Sequence, residues 1–128
     1  MQNRAKPKMI LIAGPYRSGT GDDPVRMAAN LRRLESVSYA LFQAGYVPMI
    51  GEWVALPIWR AAGGQAVGDS LYDEILHPTA ERLLQHCDAV LRLEGASTGA
   101  DNDVRVARER GIPVYHALKD VPGCSAVD

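Results

Sequence analysis

This chain lacks what would staple it covalently or fasten it to a membrane or a polyanion. Only two cysteines, Cys87 and Cys124, occur in 128 residues, far apart and in no C-x-x-C pair. That excludes a disulfide framework and fits a reduced intracellular protein. Cys87 reads as a small packing residue and Cys124 as part of a tail. No His/Cys cluster has zinc-ligand spacing, so neither a metal nor another cofactor is expected. Charge is nearly balanced, with 14 basic and 15 acidic side chains and a net charge of -1. Without a basic excess there is no electrostatic footprint for a nucleic-acid polymer or an anionic membrane. No apolar run approaches the roughly 20 residues that span a bilayer. The opening MQNRAKPK has no apolar region or cleavage site of a signal peptide. A cytoplasmic location is the resulting expectation.

What the chain does have is a core. Hydrophobic residues make up 47% of it, and its length fits one domain, expected over residues 1–119 with a polar tail at 120–128. Residues 9–13, MILIA, read as a buried strand that stops at Gly14-Pro15. Residues 24–44 read as one amphipathic helix, because Met27, Leu31, Leu34, Val37, Leu41 and Ala44 recur at three- and four-residue steps. Asp22 or Asp23 is its expected cap, with Pro24 at the first helical position. Gly45 is its expected left-handed stop. Residues 46–50 read as a second strand, placed at a sheet edge because Pro48 cannot donate to a ladder.

Residues 51–69 hold both tryptophans and four glycines, and read as a loop with a short helix near residues 57–62. Residues 70–86 read as helical, broken or restarted at Pro78. A strand at 89–93, a helix at 100–110 closed by Gly111 and a strand at 112–116 follow. Strands alternating with helices imply an α/β fold with a parallel sheet covered on both faces. The expectation is a flavodoxin/Rossmann-like three-layer sandwich of four to five strands, order 2-1-3-4(-5). That order sets the loop after the first strand beside the loop after the third, at a topological switch point where ligands gather.

The first of those loops runs GPYRSGT from Gly14 to Thr20. It has P-loop glycine spacing but no lysine before the threonine, so NTP hydrolysis is not expected. Gly14, Pro15 and Tyr16 are candidate binding residues, and Arg17 brings a donor fork suited to phosphate or carboxylate. The second loop, STGADND, places Ser97, Thr98 and Gly99 at a helix start, a setting that suits an anion. Asp101 and Asp103 fall in the first turn, where acids also complement the helix dipole.

Together these stretches resemble the nucleoside 2-deoxyribosyltransferase-like superfamily, which includes deoxynucleoside-monophosphate N-glycosidases. The resemblance lies in Gly14-Pro15-Tyr16 after a strand, a helix ending at Gly45-Tyr46, Cys87-Asp88 before a strand, and S-x-G-A-x-x-D-x-x-x-A from Ser97 to Ala107. It covers most of the chain outside residues 51–79. It implies a small-molecule nucleoside or nucleotide as partner, a homodimer or larger homo-oligomer, and chemistry at the N-glycosidic bond. An acid after the S-x-G motif would attack the anomeric carbon, and water or a second base would resolve the ester. Asp103 takes that place, where the family usually has Glu.

A second family aspartate, eight residues before the aspartate of the Cys-Asp pair, is replaced here by Ala80, so Glu52 is the candidate to stand in for it. Gly14, Pro15, Tyr16, Arg17, Ser97, Gly99, Ala100 and Asp101 are the implied binding residues. Tyr16 reads equally as a packing residue. Trp53 and Trp59 read as core or dimer residues, and His77 and His86 as surface or capping residues. A binding module without turnover is the alternative reading.

Overall fold

The computed structural model describes residues 6–124. Its center is a four-stranded parallel sheet, β1 (Met9–Ala13), β2 (Val47–Met49), β3 (Ala89–Arg92) and β4 (Val114–Tyr115), in the order β2-β1-β3-β4. β1 pairs with β2 from Met9↔Val47 to Leu11↔Met49, and with β3 from Ile10↔Ala89 to Ala13↔Arg92. β4 joins through Val90↔Val114 and Leu91↔Tyr115. Pro48 lies on an edge strand, as its missing N–H requires. The Asp88 carboxylate accepts a 2.9 Å bond from the Met9 N–H, which gives the Cys-Asp pair a structural task at the foot of the sheet.

Side chains alternate across the sheet. Ile10, Ile12, Ala89 and Leu91 face one way, with Leu34 and Leu41 from α1 (Pro24–Glu35) and α2 (Ser38–Gln43) packed on them. Leu11, Ala13 and Val90 face the other way, against Leu84 of α4 (Ser70–Leu84) and Ala100 and Ala107 of α5 (Thr98–Glu109). This is the expected three-layer arrangement. No helix among the described residues is long and apolar enough to cross a membrane.

Four local expectations need correction. The single helix over residues 24–44 is two helices. The Ser36 and Ser38 hydroxyls donate back to the carbonyls of Arg33 and Glu35, each at 2.6 Å, and divert the chain between them. The apolar stripe survives the break, with Leu34 and Leu41 fully buried. The short helix expected near residues 57–62 starts six residues earlier and replaces the first part of the expected loop, as α3 (Gly51–Ala61) with Pro57 inside it. α4 likewise runs through Pro78 without a break. An internal proline costs roughly 3 kcal/mol through a lost bond and a clash. Burial of Ala55 and Trp59 from α3, and of Tyr72, Thr79 and Leu84 from α4, offsets that cost where the two helices pack on each other.

The fourth correction concerns residues from 120 on. Leu118–Asp120 form a 3-10 turn, and Val121 and Cys124 are buried in the core beside Ile10 and Leu34. Tyr46 Oη donates to the Pro122 carbonyl at 3.0 Å and fastens the segment. The expected tail therefore belongs to the folded body as far as Cys124, and the rest of it lies outside the described residues. We expect Val121→Ala to lower stability by about 2 kcal/mol in urea unfolding, the transfer value of its lost carbons plus a small cavity. A polar tail would show no change.

Candidate active site at the sheet switch point

The loops leaving β1 and β3 meet at the carboxyl end of the sheet. Between them lies a cavity of about 190 Å³. From the β1 side it is lined by Gly14, Tyr16 and Arg17, and from the α5 side by Ser97, Gly99, Ala100 and Asp103. Glu52 reaches it from the first turn of α3. Of ten candidate site residues, these eight are brought together.

The other two are not. Pro15 is buried outside the lining, so close to Gly95 that a Cβ there would sit 2.7 Å from its ring. Asp101 also lies outside, because two residues turn a helix about 200° and Asp103 takes the inward face. Its carboxylate pairs at 2.9 Å with Arg92, whose guanidinium is buried at the end of β3.

Gly14 has a packing reason. A Cβ at this position would lie 2.7 Å from Leu34 Cδ2 and 3.4 Å from Leu93 Cβ. Its role is close approach of α1 to the sheet end rather than a left-handed turn. Ser97 is the N-cap of α5, and its Oγ accepts from the Ala100 N–H at 3.1 Å. The first intrahelical bond is Asp101 N–H to Ser97 O, so the Thr98 and Gly99 N–H groups precede it. Arg17 lines the cavity, but its fork is held by Asp22, with Nε to Oδ1 at 2.6 Å. Asp22 takes a positive φ of 61° to reach it, and the pairing holds its carboxyl below the usual value.

Two carboxyl groups set the electrostatics. Asp103 is pushed up to about 7, first by burial and then by the charge of Glu52, with Arg92 pulling the other way. Glu52 is also raised, by burial, against its own backbone N–H. Tyr16 is raised by burial and by Glu52, and stays a neutral donor. Two acids with raised affinity for protons therefore share one concavity. Among the described residues no group of three or more His, Cys, Asp and Glu side chains could hold a metal ion.

One wall of the cavity went unread in the sequence. Tyr72, Asp73, Leu76, His77 and Ala80 line it, at steps of one, four, five and eight residues along α4. That is a single helix face. His77 is exposed, as expected for a surface residue, yet it borders the cavity mouth with Asp73. Of the tryptophans, Trp59 is a core residue, while Trp53 is partly exposed and donates to Glu35 at 2.8 Å. No family model matches the chain, and no curated protein matches it.

Proposed function

We propose that this protein is a nucleoside- or nucleotide-site enzyme of the deoxyribosyltransferase-like type, which cleaves or transfers at the N-glycosidic bond with Asp103 as nucleophile. The observation that carries the reading is Asp103 itself. It is the one carboxylate on the inward face at the start of α5, it borders a cavity between the two switch-point loops, and Glu52 lies within electrostatic reach. A cavity of about 190 Å³ is smaller than the roughly 300–1,000 Å³ of drug-sized ligand sites. It suits the sugar of such a substrate, with the base or phosphate extending through the mouth past Thr98, Asp73 and His77.

A nucleophile must be ionized. Base release from a 2'-deoxynucleoside or its monophosphate should therefore rise about tenfold per pH unit below 7 and level off above it, following the Asp103 carboxyl. Asp103→Asn should abolish release, read by chromatography. Equal turnover by variant and wild type would remove the assignment.

A binding module without turnover is the second reading, and Ala80 favors it. That side chain sits in the cavity wall where the resemblance calls for a second acid. Stabilization by a deoxynucleotide with no product would select this reading. The proposed partner in either case is a small molecule in the cytoplasm. Self-association would use the stacked, exposed Tyr39 and Phe42 of α2, with ring centroids 6.4 Å apart, and the exposed Ile58 of α3.

A further inference from the structure

The ring of Tyr72 is held from several sides. Its backbone N–H donates to the Asp69 carboxylate at 2.8 Å, the N-cap bond of α4. The Trp59 indole meets it edge-on, with centroids 6.1 Å apart. The Arg17 guanidinium lies over its face, 5.6 Å from the centroid. Asp69 fixes Trp59 in turn, accepting from Nε1 at 3.0 Å. Two glycines make the room. A Cβ on Gly64 would collide with the indole, and one on Gly68 with the guanidinium.

So rigid a mounting ends in a group with nothing to bind. Tyr72 is 2% exposed, and its hydroxyl is buried without a hydrogen-bond partner among the described residues. Native proteins pair buried hydroxyls almost without exception, because an unpaired one forfeits its water for no return. Phenylalanine would fill the same space without that penalty. Tyr72 nevertheless lines the switch-point cavity, beside Tyr16 and Glu52.

We propose that Tyr72 Oη is a ligand-binding group, which donates a hydrogen bond to an uncharged oxygen of the molecule that fills the cavity. The inference rests on the reading of this cavity as a ligand site. The charges nearby select the class of oxygen. Of the charged groups of the lining, Glu52, Asp103 and Arg17 are half-buried and Asp73 is exposed, and the Arg17 fork is paired with Asp22. A phosphate at this depth would face two carboxyl groups without a free guanidinium. A sugar hydroxyl or ring oxygen meets no such repulsion, so the sugar enters first and any phosphate stays at the mouth.

Tyr72→Phe tests this with two readouts. Without ligand, the variant should melt about 3–8 °C above the wild type, because an unpaired buried hydroxyl has been removed. With 2'-deoxyadenosine or free 2-deoxyribose as calorimetric probe, its affinity should fall about tenfold, since the ligand oxygen loses its donor. An unchanged or lower Tm would mean that the hydroxyl has a partner in solution, and would overturn the proposal. So would equal affinity for a probe that the wild type binds. If the wild type binds neither probe, the nucleoside reading fails by itself, and the Tm comparison alone then upholds or ends the assignment of Tyr72.

Discussion

Asp103→Asn is expected to stabilize the folded protein at pH 8 by about 2–4 kcal/mol while it removes the proposed nucleophile. The carboxyl titrates near 7 in the fold and near 3.9 in an unfolded chain. Between those values the native state holds a proton that the unfolded state has lost, so stability falls as pH rises through the window. Below about pH 4 both states are protonated, and the aspartate carries no penalty. Above 7 the penalty is complete, a gap of about 3 pH units, or roughly 4 kcal/mol before relaxation and water entry reduce it.

Asparagine keeps the shape and carries no charge at any of these pH values. Urea unfolding at pH 4.5 and pH 8 should therefore show variant and wild type within about 1 kcal/mol at the lower pH and well separated at the higher. Equal separation at both would mean that the carboxyl is not held in a desolvated site.

The second large effect is expected at Trp59. Trp59→Ala should lower stability by about 3–5 kcal/mol, the range for removing a large buried aromatic side chain. The indole does three things at once. It packs between α3 and the Gly64 backbone, it meets the Tyr72 ring edge-on, and its Nε1 donates to the cap of α4. That last bond is the main reason the Asp69 carboxyl is held below its usual value. Trp59→Phe keeps the ring and loses the donor, and should cost only about 1–2 kcal/mol. Similar losses for the two variants would show that the hydrogen bond, not the packing, holds this corner. A loss under about 1 kcal/mol for the alanine would mean that the wall of the cavity does not depend on Trp59.

These two residues also divide what could be read early from what could not. The position of Asp103 near the switch point was legible from a helix-capping serine and the βα alternation. Its choice as nucleophile rests only on the resemblance of the Ser97–Ala107 stretch, since by residue type alone it reads, like Asp101, as an acid that complements the helix dipole. The cap, the helix period and the strand that precedes them are all local, and local chemistry decided them. Trp59 was not legible as a support of the cavity, because residues 51–69 carry four glycines and a proline that locally favor a loop, and Tyr72 was not, because nothing in its helical segment marks which face lines a cavity. Gly64 turned out to provide clearance for Trp59, while Gly68 takes a left-handed φ of 92°. Composition cannot distinguish a glycine needed for a turn from one needed for clearance.

By itself, the amino-acid order determined the α/β class, the strand order, the edge position of Pro48 and the meeting of two distant loops. Each follows from hydrophobic period, backbone donors and the handedness of crossovers, which act over short spans or restrict topology as a whole. Only the tertiary structure decided that helices run through Pro57 and Pro78, that the chain packs inward as far as Cys124, and that the α4 face completes the cavity. In each case burial against a partner far along the chain outweighs a local preference of a few kcal/mol. The same holds at the site. Sequence position puts Asp103 in α5, though in its second turn rather than the first, and its raised proton affinity comes from burial and from Glu52, a neighbor fifty-one residues away.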